Sequence, residues 1–237
     1  MTQAYVGPYV ITDLTRFSKG DNICIAATKP FTNEFVRPLP YLTIKKCKAL
    51  SLKPGSIVFF DNMAPKPNSF KPHVEDVKAG NLNTNGYCTK EQFHKTLEGS
   101  LSKSVRDGFG VDIPQNQKYI PHSTPPESSI VTIKVSPSNF KIVRDDYDKL
   151  RAHFTDSDGN KFSFLSITDR RFYDHVVKLF ADGKLDEVNN FIGQQDELYL
   201  RVGLSRSYTV GERSGYWMQV NGIYTFPNYF EEINAYE

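Results

Sequence analysis

The sequence predicts a mostly β chain with a few helices, arranged as two small five-stranded barrels in tandem. Three observations carry this. Short runs of period-two hydrophobicity recur along the chain, bounded by Gly, Pro, Asn and Asp. The helical segments are few and do not alternate with strands, which argues against a parallel α/β sheet. A stretch rich in Pro, Ser and Gln, residues 111–129, divides the 237 residues into two halves. The expected organisation is a first barrel with a C-terminal helix over 1–110, a Pro-stiffened linker over 111–129, and a second barrel with inserted helices over 130–237.

The elements follow in order. Residues 5–17 read as a strand interrupted at Gly7-Pro8. "NICIAAT" (22–28) and "EFVR" (34–37) form a hairpin across the turn residues of "KPFTN". Pro54-Gly55 is a turn before a buried strand, Ser56–Asp61. "MAPKPNSFKP" is a loop, and "HVEDVKA" a short edge strand. Residues 89–105 predict one helix: Thr89 and Gln92 make a capping box, and Phe93, Leu97, Leu101 and Val105 share a face.

In the second half, "IVTIKVS" alternates with period two and "FKIVRD" extends it. Residues 149–168 are a hairpin around "DSDGN", where Asp158-Gly159 tolerate positive φ. "DRRFYDHVVKLF" and "LDEVNNFI" are helical, split at Asp182-Gly183, with Asp169 or Thr168 as the first cap. Strands follow at 198–206 and 216–226. Several short strands with an intervening helical segment suit an OB-fold in each half.

Composition excludes several classes. The chain is 39% hydrophobic, 24% charged and 13% aromatic, a soluble globular profile. No apolar run approaches the ~18 residues of a membrane helix, and "MTQAYVGPYV" has no signal-peptide pattern. Cys24, Cys47 and Cys88 are widely spaced and odd in number, which suits a reducing cytoplasm. Lys and Arg outnumber Asp and Glu by 15 to 9 in residues 1–110 and fall behind by 14 to 18 in residues 111–237. A basic first half favours an anionic partner there.

Several segments together resemble a known family. "ITDLTRF", "ICIAA" followed by "EFVRPLP", "PHSTPPESSIVTIKV", "LRVGLSRSY" and "GYWMQVNGIYTF" are similar, in this order, to the prokaryotic dual OB-fold domain family. The resemblance spans most of the chain. It implies two OB barrels, a nucleic-acid-binding role, and a place among host–virus conflict systems.

The candidate binding residues come from the chemistry such a role needs. Phosphates call for Lys or Arg, and bases for flat aromatic faces. Arg16-Phe17, Arg37, and Arg206 with Tyr208 supply both, and their arginines are expected to converge on one anionic ligand in a shared concavity. Trp217, the single tryptophan, is a further stacking candidate, and Lys45, Lys46 and Lys48 of "IKKCK" form a basic patch on a strand or loop edge. The competing structural reading pairs the arginines with carboxylates, with Asp13 and Glu34 near Arg16 and Arg37 in sequence.

The motifs of catalysis do not emerge. Cys88, His94 and His73 lack regular zinc spacing, and there is no Walker loop, dinucleotide fingerprint or nucleophile elbow. Asp156 and Asp158 of "TDSDGN" are read as turn residues rather than calcium or nuclease ligands. The expectation is a cytoplasmic, non-enzymatic module without metal or cofactor that binds single-stranded DNA or RNA. The alternatives are a sensor or protein-interaction subunit of a defence complex, and a metal-dependent nuclease.

Overall fold

A computed structural model describes residues 6–32, 34–66 and 70–229. The outermost residues of both expected barrels and three residues of the Pro-rich loop lie outside the described residues. The first barrel begins with a meander of β1 (Val6–Arg16), β2 (Asn22–Thr28) and β3 (Phe35–Leu39). Short β4 (Leu42–Thr43) pairs with β2 and leads into helix α1 (Ile44–Ala49). Strand β5 (Ser56–Phe60) returns antiparallel beside β1. After β6 (Met63–Pro65), β7 (Asp76–Ala79) runs parallel to β3, and β8 (Leu82–Tyr87) runs antiparallel to β5. Only Gly80 and Asn81 separate β7 from β8, so the two act as one broken fifth strand. Both flanks of the sheet are thereby joined by that strand, and the sheet curls closed.

Helix α2 (Lys90–Gly99), β9 (Leu101–Ser102), α3 (Val105–Phe109) and β10 (Tyr119–Pro121) come next. The second barrel opens with β11 (Ile130–Val135) and β12 (Phe140–Arg144), one strand broken by a 3₁₀ turn at Pro137–Asn139. Strand β12 pairs with β13 (Leu150–Thr155), which forms a hairpin with β14 (Lys161–Ile167). Helices α4 (Arg170–Ala181) and α5 (Leu185–Gly193) precede β15 (Glu197–Leu204), β16 (Tyr208–Val210) and β17 (Arg213–Phe226). β15 pairs with β11 and β17, and β17 runs parallel to β14. The connectivity repeats that of the first barrel: third strand parallel to fifth, with helix between third and fourth. Both halves are therefore five-stranded Greek-key barrels, as the strand pattern predicts.

The expected 89–105 helix is two helices with a strand between them. Thr89 and Gln92 form the capping box, but α2 ends at Gly99 and Ser104 caps α3. Gly and Ser are weak helix formers, and Ser offers a cap instead. Leu101 consequently leaves the helix face, pairs in β9 with β11, and stays 42% exposed. Sheet membership thus passes to the second barrel between Tyr87 and Leu101, upstream of the Pro-rich stretch. Within that stretch, β10 pairs with β17, and Ile113 and Ile120 enter the second core. "HVEDVKA" contributes β7, flanked by β3 and β6 rather than at an edge. Asp169 is the α4 cap, accepting from the Phe172 amide at 3.1 Å.

The barrels meet through charge. A register shift in β1 makes Thr12 an extra residue, so Ile11 and Leu14 both face the first core while Asp13 faces out. Arg201 of β15 meets Asp13 Oδ2 with Nε at 2.9 Å and Nη2 at 2.8 Å. Its Nη1 donates to Thr132 Oγ1 at 2.6 Å, and its guanidinium lies 4.4 Å from the Phe35 ring centroid. Arg201 is 0% and Asp13 1% exposed. Nearby, the Tyr224 hydroxyl donates to the Thr12 carbonyl at 2.5 Å, and the Arg16 amide donates to the Thr168 carbonyl at 2.9 Å.

Removing one member of such a pair strands the other without water. Asp13→Ala or Arg201→Ala is expected to cost about 3–5 kcal/mol in urea unfolding. Asp13→Leu combined with Arg201→Met is expected to cost less than the sum of those losses, because no lone charge is left buried. Additive losses would show that the pair does not act as one unit.

Candidate nucleic-acid interface

The three arginines expected to share one concavity part company. Arg37 is buried: its Nε donates to Asp76 Oδ1 at 2.5 Å, Nη1 to Ser129 Oγ at 3.1 Å, and Nη2 to His73 Nδ1 at 2.9 Å. Arg206 reaches the same carboxylate from the other barrel, Nη2 to Asp76 Oδ2 at 2.7 Å, with its side chain 47% exposed. These two arginines do converge on an anion, but the anion is the chain's own Asp76. Burial pushes the Asp76 carboxyl up, and the two guanidiniums outweigh it and hold it below its ordinary value. Arg37 is thereby corrected from phosphate contact to structural tie. Its donors are spent on carboxylate, hydroxyl and imidazole in a place a phosphate does not reach.

Arg16 turns elsewhere. Its guanidinium lies 3.4 Å from the Tyr173 ring centroid on α4, pressing the end of β1 onto the second barrel. Phe17 is 38% exposed and meets Tyr41 edge-on at 4.9 Å, while Tyr41 Oη lies 3.4 Å from Arg206 Nη2. Phe17 and Arg206 thus meet at the seam between barrels. Lys45, Lys46 and Lys48 lie on α1 rather than on a strand or loop edge, exposed around buried Cys47. Thr43 nucleates that helix by accepting from the Lys46 amide.

Tyr208 and Trp217 stand on the second barrel. Gly215 pairs with Pro121 on one edge of β17 and with Tyr208 on the other, so β10 and β16 flank β17. Trp217 is stacked between them, 5.2 Å from Tyr119 and 5.5 Å from Tyr208. Both faces of the indole are covered, so Trp217 is the middle rung of a three-ring ladder. The face open to a base belongs to Tyr208, which is 48% exposed.

Cations crowd this ladder. The Lys118 ammonium is held below its ordinary pKa by burial and by the charges of Arg151 and Arg213. His153 is likewise held down by burial and by Lys118 and Lys141. Arg151 donates to Asp145 Oδ2 at 2.7 Å and to Ser166, so part of its charge is met within the chain. The rest is mutual repulsion that an incoming anion would relieve.

Phe164 completes the face through a strained backbone. Between the β13–β14 pairs Ala152–Leu165 and Phe154–Phe162, β14 carries one residue more than its partner. This bulge puts Phe164 at φ 58°, in the left-handed region that a bulky side chain avoids. Its ring is aimed outward, 45% exposed, beneath the Lys118 ammonium at 5.0 Å and against His153 at 4.4 Å. A groove of about 310 Å³ continues past His153 to Lys141 and Lys161. The acidic turn is a separate matter. Asp156 accepts from the Asp158, Asn160 and Val105 amides, and Asp158 pairs with Lys103 at 2.9 Å.

A family model described as the dual OB-containing domain matches residues 11–223. The chain belongs to the dual OB-containing domain family. Neither a curated protein nor a solved structure matches it. In this dual OB chain, β13 and β14 are strands two and three of the second barrel. Residues 145–149 form its strand 1–2 loop, and 205–212, with β16, its strand 4–5 loop. These are the surfaces on which OB-folds take oligonucleotides and oligosaccharides. Lys118, Tyr119, Arg151, His153, Phe164 and Arg213 join Tyr208 there, and the sequence marked none of these six as a binding residue. Among the described residues no helix is long and apolar enough to cross a membrane, and none of their His, Cys, Asp and Glu groups is arranged to hold a metal.

The seam carries a pH signature. His73 is held at about 3 by burial, reinforced by the charges of Arg37 and Arg206. Arginine only donates, so His73 Nδ1 must accept and the ring stays neutral. The unfolded chain takes up this proton near 6.5, the folded chain only near 3. Between those values the unfolded state binds more protons, so stability rises with pH and this contribution is complete above about 6.5. His73→Gln is expected to flatten the rise of the urea midpoint between about pH 4 and 6.5. An unchanged slope would assign that rise to other groups.

Proposed function

We propose that this dual OB chain binds single-stranded nucleic acid, DNA or RNA, along the outer face of its second barrel, and that it acts by binding rather than by catalysis. The observation that carries this reading is Phe164. A bulky residue held in the left-handed region costs about 1–3 kcal/mol. The bulge that imposes it turns Leu165 and Ile167 into the core and, on the outer face, presents the Phe164 ring to solvent beneath a cation. Together with Tyr208 it offers two open aromatic faces, and duplex bases, already stacked on each other, would leave both unused. Lys118, Arg213 and Arg151 flank these rings for the backbone. Arg206 and Phe17 at the seam extend the path toward the first barrel, where Lys45, Lys46 and Lys48 supply further charge.

A second reading makes the chain a sensor or interaction subunit of a prokaryotic antiviral assembly. It rests on a different surface, where Phe70 is 74% and Val74 48% exposed ahead of β7. Under it, Lys118→Glu with Arg213→Glu would leave co-purification of a protein partner intact.

Fluorescence anisotropy with labelled single strands of DNA and RNA across a salt series tests the first reading. Binding is expected to weaken linearly in log salt, and Lys118→Ala and Arg213→Ala each to reduce the slope by about 0.7. Tyr208→Ala and Phe164→Ala are expected to cost about 1–3 kcal/mol of affinity with the slope unchanged. Salt-independent binding, or variants that match the parent, would remove this face from consideration. Phe164→Gly is expected to weaken binding yet raise the unfolding free energy by about 1 kcal/mol, since glycine accepts the left-handed backbone without strain. Loss of stability instead would mean the ring serves the fold.

A further inference from the structure

The two barrels plug their ends differently. In the second barrel, α4 and α5 place Phe172, Val176, Val188 and Ile192 into the core. In the first, α1 has six residues and buries only Cys47. The end of the first barrel is left half open, with a cavity of about 350 Å³. That lies within the roughly 300–1,000 Å³ of small-molecule sites. Its floor is the core itself, Ile25, Phe60 and Leu82, and Leu39 and Leu42 form walls.

The rim is polar and built. Asp61 continues from β5, and its carboxylate accepts from the Asn81 side-chain amide at 2.9 Å and from that of Asn83 at 2.8 Å. Its backbone amide is tied to the Asn81 carbonyl at 3.1 Å. The carboxylate is thus oriented by neutral donors, and among the described residues no cation pairs with it. Lys46 of α1 lines the same mouth. An oriented carboxylate, an ammonium and an apolar floor share one opening.

We infer that this open end of the first barrel binds a small molecule with a hydrogen-bond-donating nitrogen end, an apolar body and an anionic group. The nitrogen end meets Asp61, the body covers Ile25, Phe60 and Leu82, and the anion meets Lys46. A purely aliphatic ligand would offer neither rim charge a counter-charge. Two sources share this chemistry: nucleoside monophosphates, through the amino edge of the base and the phosphate, and apolar α-amino acids, through ammonium and carboxylate. The inference does not rest on the nucleic-acid reading: of the residues lining this cavity, Lys46 alone is shared with the charge path proposed above.

The test is a titration of the full chain, observed through the methyl signals of Ile25, Leu39, Leu42 and Leu82. One arm adds AMP, GMP or CMP, whose bases carry an exocyclic amino group, and the other adds leucine or phenylalanine. Saturable shifts centred on these methyls in one arm are expected, and that arm names the source. Asp61→Asn is expected to weaken binding about tenfold or more. Leu42→Trp, which fills the cavity, abolishes it, and the exposed change Lys46→Gln weakens it without risk to folding. Variants of Tyr208 and Phe164 leave it unchanged, while Asp61→Asn leaves the single-strand binding as in the parent. The inference is overturned if neither arm moves these methyls at millimolar ligand, if shifts centre elsewhere, or if Lys46→Gln and Leu42→Trp bind as the parent does.

Discussion

A buried charge pair is the constraint around which this molecule is arranged. Asp13 and Arg201 lie in different barrels, 188 residues apart in sequence, with almost no exposed surface on either. Neither charge is tolerable alone in such a place, so the barrels must bring them together in one geometry. Thr12, Thr132 and the Phe35 ring complete the surroundings. A second polar knot, Arg37 and Arg206 on Asp76, closes the same seam, with Glu75 accepting from both the amide and the hydroxyl of Ser129. Polar groups that meet these partners in only one arrangement tie the two barrels together.

That seam decides which surface is left to bind. It uses the outward residues of β1 and β3, Asp13, Phe35 and Arg37. In the second barrel, strands two and three, β13 and β14, keep Arg151, His153 and Phe164 on their outer face. One topology used twice therefore yields one barrel that lends its face to the partner and one that keeps it. The helices differ in the same spirit: α4 and α5 fill the second barrel's end, and α1 is too short to fill the first. Each barrel accordingly has its own opening, one on the wall and one at the end.

Net charge is a poor guide to this division. The second half is acidic overall, yet it carries the cation-rich face. Its acids are largely committed locally: Asp148 to Arg144, Asp174 to Arg170, Glu197 to Lys134 and His94. Among the described residues Lys118 and Arg213 form no ion pair, and the charges of Arg151 and Arg213 help hold the Lys118 ammonium down. Potential at a surface depends on where counter-charges sit, and only folding fixes that.

By itself the sequence determined the repeated barrel, because strand alternation, turn residues and helix caps act over a few residues. The β2–β3 and β13–β14 hairpins, the Thr89 capping box and the Asp169 cap all follow from neighbours in the chain. It also singled out Tyr208 and Trp217, since rings in strands near loops are recognisable in any context, but not that Tyr119 and Tyr208 would cover the faces of Trp217. Tertiary structure alone decided the rest. Arg201 alternates with Leu200 and Val202 as a solvent-facing residue would, and only the second barrel's contact with β1 turns that face inward. Tyr119 lies in a stretch whose composition reads as linker until β10 pairs with β17. Phe164 sits two residues from Phe162 and would share its inward face, but the bulge reverses it. Phase shifts and long-range ion pairs are settled by what an element meets, and no local pattern encodes that encounter.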